Sequence, residues 1–249
     1  MQTIRKLCQE ITASLLELFL PAACPACGRP PDRDDGIMLC RTCLAEVKPI
    51  TGPICICCGL PFDKNTGANR LCGLCLSGHY RFDYARALFH YIPPLTTIIS
   101  RFKYQGQTCG LKSFQTIYQQ LPDMKEVANP DLIVPVPLHR KRLRKRGFNQ
   151  ALLLARALYP DQHALIDFKV LERHRYTEPQ TNLSGKARRR NLKNAFRVTD
   201  PDSVAGKRVL LIDDVFTTGT TVNECAGILK QAGAGKVLVL TLARVDYRF

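Results

Sequence analysis

One stretch of thirteen residues limits what this chain can fold into more than any other: Val209-Leu210-Leu211-Ile212-Asp213-Asp214-Val215-Phe216-Thr217-Thr218-Gly219-Thr220-Thr221. Its aliphatic part is long enough for a buried parallel strand. It runs into two carboxylates, then a small hydroxyl-rich turn, then a helical pattern over 222–229. A strand–loop–helix unit aims unpaired backbone N–H groups and the positive end of a helix dipole into its loop. Thr217, Thr218, Thr220 and Thr221 add hydroxyl donors and Gly219 lets the backbone come close, so the loop is a cradle for a phosphate. Asp213 and Asp214 are expected at the carboxyl end of the strand, where open α/β sheets bind ligands. There they can accept hydrogen bonds from sugar hydroxyls, or hold a divalent cation through water. Phosphate and diol together outline a ribose 5-phosphate. An ordinary turn with an aspartate cap would explain one acidic residue, not two followed by Thr-Thr-Gly-Thr-Thr.

Twelve cysteines are the second constraint. Eight fall in pairs two residues apart: Cys24 with Cys27, Cys40 with Cys43, Cys55 with Cys58, and Cys72 with Cys75. That gap lets both thiolates of a pair grip one tetrahedral ion, and two pairs close a structural zinc site. Two zinc ions are therefore expected, the first four cysteines on one and the last four on the other. Cys57, beside Cys58, is an alternative ligand. A redox C-x-x-C needs a helix start in a βαβ unit, and the surroundings here are turn-like. With few core-forming residues of its own, the segment should take much of its folding energy from metal. Cys8, Cys109 and Cys225 read as small buried hydrophobes.

Composition shifts at about Gly78, which divides the chain into an N-terminal helix over 1–20, a double zinc ribbon over 21–78 and an α/β domain over 79–249. In the first part Ile4, Leu7, Ile11, Leu15, Leu18 and Phe19 share one face at helical spacing. A secretory signal is the competing reading. Glu10, Glu17 and Pro21 interrupt it, and Cys24 already has a partner in Cys27. No apolar run approaches the roughly 20 residues of a membrane span. The expected location is the cytoplasm, without membrane insertion. In the third part strands are predicted over 84–91, 132–136, 164–168, 209–212 and 236–243, with helices over 95–104, 109–121, 150–158, 184–194 and 220–232. Such alternation predicts a parallel sheet covered on both faces.

The 209–221 segment resembles the phosphoribosyl-pyrophosphate (PRPP) loop of type I phosphoribosyltransferases. Further residues narrow the resemblance: Val134-Pro135-Val136-Pro137-Leu138-His139, Arg146-Gly147-Phe148-Asn149-Gln150, then Gln180, Leu183, Arg188, Asn191 and Phe196. With the cysteine pairs, this series resembles the ComF family of bacterial competence proteins, from about Leu18 to Val245. The resemblance implies a type I phosphoribosyltransferase-like sheet behind a double zinc ribbon, binding of PRPP with Mg²⁺, and a role in DNA uptake during natural transformation. It supplies no acceptor substrate. The turn after Pro135 and Pro137 resembles the pyrophosphate loop. Proline cannot donate, so the N–H groups of Leu138, His139 and Arg140 are the candidate donors. The 173–191 segment resembles a hood that closes over the ligand. Within this reading Asp213 and Asp214 hold the ribose hydroxyls and Thr217 through Thr221 the 5′-phosphate. Arg146, Arg175 and Arg188, with Gln180 and Asn191, serve the pyrophosphate or the lid. No residue identifies itself as a general base.

The formal charge is +15, and eight zinc-bound thiolates with two Zn²⁺ ions bring it to about +11. The excess lies in 140–146 and 186–190. Arg140, Lys141, Arg142 and Lys145 are too many cations for one pyrophosphate and are expected to face solvent and bind single-stranded DNA. Two readings remain beside an enzyme. One is a sensor or DNA-binding module without turnover. The other is an adaptor that docks a DNA-translocating motor of the competence machinery through its ribbons. The chain is not that motor, because Gly233-Ala234-Gly235-Lys236-Val237 lacks the remaining residues of a nucleotide-binding P-loop.

Overall fold

The computed structural model describes residues 23–32, 37–63, 65, 67–108, 110–121, 124–176 and 192–246. The predicted helix over 1–20, Cys8, Cys109, and most of the predicted helix over 184–194 lie outside them. So do Gln180, Leu183, Arg188 and Asn191.

Four parallel strands form the central sheet: β1 (Tyr84–His90), β2 (Leu132–Pro135), β5 (Arg208–Phe216) and β6 (Lys236–Arg244), in the order β1-β6-β5-β2. Their near-continuous burial is what a sheet covered on both faces requires. One apolar core gathers helices Leu95–Gln105, Leu111–Gln120 and Gln150–Leu158 against Leu210, Ile212, Leu238 and Leu240. The other packs helix Thr220–Gln231 against Val209, Leu211, Val237 and Val239.

The cysteine-rich segment packs into both cores. Cys24, Cys40 and Cys43 belong to the first core, Cys55, Cys58 and Cys72 to the second. Its backbone also covers the outer edge of β1. Ile50 N–H donates to the Leu88 carbonyl, His90 N–H to Lys48, and Ala85 N–H to Cys57. An exposed strand edge invites pairing with another chain, and here the ribbons occupy it.

Three elements differ from the sequence expectation. The predicted strand over 164–168 is a single bridge, Ile166 to Ile133, behind a 3-10 helix at Pro160–Leu165. Pro160 begins that turn, and the Asp167 carboxylate then accepts from the N–H groups of Lys169 and Val170, folding the backbone away from the sheet. Residues Arg140–Arg146 form a short helix that no apolar periodicity announced. His139 Nδ1 accepts from the Lys141 N–H at its start, and Gly147 (φ 84°) ends it with an N–H to the Leu143 carbonyl. Finally, β3 (Leu171–Arg173) and β4 (Phe196–Val198) pair antiparallel as a separate two-stranded ribbon at the base of the 173–191 segment.

Candidate functional site

The site is assembled at the carboxyl end of β5. The strand runs on to Phe216, so Asp213 and Asp214 lie inside it rather than at its tip, Asp213 in register with Thr241 of β6. Consecutive strand residues face opposite sides. Asp214 is buried, and its Oδ1 accepts from Lys103 Nζ at 2.9 Å, at the end of helix Leu95–Gln105. Burial works against the Lys103 charge, but Asp214 and Asp213 outweigh it and raise the ammonium pKa. The Oδ2 of Asp214 is buried and has no partner among the described residues. A buried carboxylate oxygen without a donor is costly, and this one has the capacity to accept a further hydrogen bond.

Asp213 is half-buried and leans towards the other face. Burial, then the adjacent Asp214 charge, pushes its pKa up to about 7; the Asp214 N–H, Lys103 and Arg173 pull the other way. That N–H donates to Asp213 Oδ1 at 2.9 Å. Arg173 of β3 is buried, with its guanidinium 5.4 Å from the Phe196 ring centre. Burial and then Arg142 lower its pKa to about 10, while Cys225 and Asp213 favour its charge. Sequence reasoning missed both Lys103 and Arg173. Each reads as a solvated cation at the end of an element, and their approach to residues 213–214 is made only by the fold.

Beyond Phe216 the chain turns through Gly219 in a left-handed conformation (φ 72°) into helix Thr220–Gln231. Glycine is required there twice over, since a Cβ would lie 2.4 Å from the Phe216 ring and 3.1 Å from Tyr80. Thr218 and Thr220 share a hydroxyl hydrogen bond of 2.7 Å. The first intrahelical bond runs from Asn223 N–H to the Gly219 carbonyl, so the N–H groups of the opening turn are open to an anion. Thr217, Thr218 and Thr221 are half-buried and Gly219 and Thr220 buried, a recess rather than a surface bulge.

On the other flank, the turn after β2 carries half-buried Leu138 and His139. Arg140 opens its helix, where an N–H has no intrahelical acceptor. Asn149 caps the next helix, accepting from Ala151 N–H at 3.0 Å, and its Nδ2 donates to the Val136 carbonyl at 3.1 Å. This fastens the turn to β2. Residues 142 and 146 lie four apart on one helix face, and both are half-buried, whereas Arg140, Lys141, Arg144 and Lys145 are exposed. Arg142 was expected to face solvent; helix geometry turns it inward with Arg146, towards Arg173. Arg146 bonds Gln150 Oε1 and lies 5.6 Å from the Tyr104 ring centre. Arg140 reaches Glu172 at 3.5 Å. Exposed Arg175 bonds the Lys193 carbonyl.

The eight paired cysteines form two tetrads, Cys24, Cys27, Cys40 and Cys43, and Cys55, Cys58, Cys72 and Cys75, each with its sulfurs within 4.8 Å of one another. A Zn–S bond of about 2.3 Å puts tetrahedral ligands about 3.8 Å apart. Observed separations are 3.7 Å for Cys27 to Cys40 and 3.6 Å for both Cys55 to Cys75 and Cys58 to Cys72, so the donor sets fit zinc. Cys57 stays outside the second tetrad. Cys225 is fully buried, and burial holds its thiol well above the usual range, as an inert core residue.

Comparison with known proteins agrees with this architecture. Residues 15–76 match the double zinc ribbon domain family and 144–246 the phosphoribosyl transferase domain family. The chain is 35% identical to competence protein F of Haemophilus influenzae, an alignment covering 83% of this chain and 90% of that one. It is 36% identical to the DNA utilization protein YhgH of Escherichia coli K12, over 77% of this chain and 84% of that one. To competence protein ComFC of Bacillus subtilis it is 30% identical, over 83% and 84%. A phosphoribosyltransferase domain behind two cysteine tetrads, matched over nearly the full length of these relatives, makes this chain a member of the competence protein F (ComF) family.

Proposed function

We propose that this protein binds a PRPP-like phosphosugar with Mg²⁺ and acts, by transferring or sensing the phosphoribosyl group, in the handling of DNA taken up by the cell. The observation that carries the reading is the Asp213–Asp214 pair, with a buried oxygen that has no partner among the described residues, beside the open helix N-terminus of loop 217–221. Ribose hydroxyls would donate to the two carboxylates. The 5′-phosphate would take the loop N–H groups and the hydroxyls of Thr217, Thr218, Thr220 and Thr221. Leu138, His139 and Arg140 N–H groups, with Arg146 and Arg175, would serve the pyrophosphate. Gln180, Arg188 and Asn191 would complete a lid. Mg²⁺, when bound, would neutralise the leaving group. If turnover occurs, pyrophosphate departs from C1 and a nitrogen nucleophile takes its place. Cations and exclusion of water stabilise the intervening sugar cation. The ribbons over 21–78 and the domain over 79–249 are the two working parts in this scheme. Incubation with Mg²⁺-PRPP and a panel of purines, pyrimidines and amines tests it. Pyrophosphate release with one acceptor identifies an enzyme, saturable binding without release a sensor, and no binding removes the reading.

Ligand binding is expected to depend on pH through Asp213. Its pKa is raised from 3.8 to about 7, so the folded state holds this proton more tightly than the unfolded chain. Between those values unliganded stability falls as pH rises, whereas a hydroxyl donor needs the ionised carboxylate. Affinity for ribose 5-phosphate should therefore rise as pH passes from below Asp213's raised pKa to above it. The sugar phosphate's own ionisation near pH 6 adds to the slope, so calorimetry should compare wild type with Asp213→Asn. An identical profile in the variant would refute the assignment.

A second reading, a DNA-binding adaptor, draws on surface chemistry. Exposed Tyr104 and Tyr176 flank the basic helix Arg140–Arg146, Tyr176 against His139 and Lys141, Tyr104 beside Arg146. Cations with exposed rings suit single-stranded DNA. Ile56, Leu74 and Leu76 are exposed on the second ribbon and suit a protein partner such as a DNA-translocating motor. Replacing Arg140, Lys141, Arg142 and Lys145 with Ser should weaken DNA binding and flatten its salt dependence by about 0.7 per lost phosphate contact. Because Arg142 faces inward with Arg146, PRPP affinity should fall with that change alone. Unaltered DNA binding in the quadruple variant would sink the DNA assignment.

A further inference from the structure

The second cysteine tetrad and the phosphate loop are joined by one continuous set of contacts. Arg244, the last residue of β6, is buried, which costs free energy unless the charge is compensated. Its Nη1 donates to the Cys58 carbonyl at 2.8 Å and its Nη2 lies 3.9 Å from the Cys58 sulfur. A Zn²⁺ ion held by four thiolates keeps two net negative charges, so this guanidinium is a counterion of the metal site. Its other side covers the Phe216 ring, 4.2 Å from the centroid. Phe216 is the residue before the phosphate loop, and the loop lies on its ring, since a Cβ at Gly219 would meet that ring at 2.4 Å. Zinc ligand, arginine, phenylalanine and loop are thus stacked in sequence.

A second connection runs through the chain that leaves Cys75. Tyr80 stacks on Phe82 with centroids 4.7 Å apart and meets Phe216 edge-on at 6.1 Å. Its hydroxyl donates to the Thr218 carbonyl at 3.5 Å. Arg81 N–H donates to Asn223 Oδ1 at 2.6 Å, and Asn223 Nδ2 donates to the His79 carbonyl at 3.4 Å. The segment after the last cysteine is therefore fastened to the first turn of the helix whose N-terminus faces the phosphate. In the first tetrad the corresponding contacts go elsewhere: Arg101 donates to the Pro25 carbonyl, and Met38 N–H to Ser113, on the opposite face of the sheet.

We propose that the second tetrad is a metal-dependent clamp on the phosphate loop, with Arg244 and Tyr80 as its positioning residues, so that the ligand site is competent only while that zinc is in place. Loss of the ion removes the counter-charge of Arg244 and frees the chain after Cys75, and the platform under Gly219 loosens with both. The ligand part of this inference rests on the phosphate-site reading above. The clamp itself does not.

The test uses the full-length, zinc-loaded protein and three variants, Cys75→Ser, Cys27→Ser and Arg244→Met. Zinc content, hydrogen–deuterium exchange of peptides covering 216–223 and 132–136, and calorimetric affinity for ribose 5-phosphate are measured on each. Cys75→Ser and Cys27→Ser should each lose one of the two ions. Of these two, only Cys75→Ser should speed exchange in 216–223, and it should weaken ribose 5-phosphate binding by about tenfold or more, within the usual range of coupling between sites. Arg244→Met should keep both ions and still speed exchange in 216–223, with 132–136 unchanged; this variant decides the matter if Cys75→Ser does not fold. Loop exchange unchanged in Arg244→Met, or raised equally by Cys27→Ser, would overturn the clamp. Failure of the wild type to bind ribose 5-phosphate would remove the phosphate reading instead, while the exchange data still judge the clamp.

Discussion

The double variant Asp213→Asn, Asp214→Asn is expected to lose measurable PRPP binding while keeping its fold. Both side chains sit in the central sheet, and Asn is nearly isosteric, so packing is preserved. The electrostatics are not. Asp214 holds Lys103 at 2.9 Å and has a buried oxygen left to accept a further donor. An amide can present one oxygen where the carboxylate presents two, and its NH₂ would face either the Lys103 ammonium or the ligand hydroxyl. Charge-assisted hydrogen bonds contribute roughly 1.5–3 kcal/mol each, so losing two or more moves a micromolar ligand out of detectable range. Removal of the two carboxylates relieves the cost of burying Asp213 and its repulsion from Asp214, but it leaves the Lys103 ammonium without its carboxylate, so the variant should keep its fold with a lowered melting temperature. Calorimetry with Mg²⁺-PRPP and a thermal melt decide it. Binding within about threefold of wild type, less than 1 kcal/mol, would take these residues out of the site.

Metal removal should have the other large effect. Elemental analysis is expected to find two zinc ions per chain, one on each tetrad. Closed cysteine sites contribute on the order of 10–16 kcal/mol of binding free energy in small domains, comparable to the whole stability of an ordinary domain. Here six of the ligands, Cys24, Cys40, Cys43, Cys55, Cys58 and Cys72, are also core residues of the two sheet faces. Chelation should therefore lower the melting temperature of the entire molecule rather than unfold a separate module. A chelated, metal-free protein that melts like the zinc-loaded one would end the structural role.

What could be read from the chain alone follows from how local each signal is. The two tetrads were legible because the ligands of a zinc ribbon come in close pairs whose chemistry leaves little choice. The strand–loop–helix at 209–231 was legible because a single segment carries apolar run, carboxylates, hydroxyls and helix. Lys103 was not, because it lies more than a hundred residues from Asp214 in sequence and ends a helix whose last turn ordinarily holds a solvated lysine. Arg173 was obscured for the same reason, opening a polar segment that read only as a hood. The direction of Arg142 depended on a helix at Arg140–Arg146, and a run of like charges carries no periodicity from which to infer one. At 164–168 a short apolar stretch suggested a strand, but Pro160 and the side-chain bonds of Asp167 set the local backbone instead.

The sheet order β1-β6-β5-β2 has a consequence for how the molecule is made. The strand that joins β1 to the rest of the sheet is the last to be synthesised, with Tyr84 waiting for Leu238. Until Lys236–Arg244 leaves the ribosome, β1 has no neighbour within the sheet, and its apolar row is a template for pairing with another nascent chain. Residues 48–57 emerge before β1 and bind its opposite edge, so one side of the waiting strand is already occupied. Pairings across so much sequence also close slowly. A message cut short before β6 would thus yield a chain with its ribbons formed and its sheet unable to close, a substrate for proteolysis rather than a smaller version of the protein.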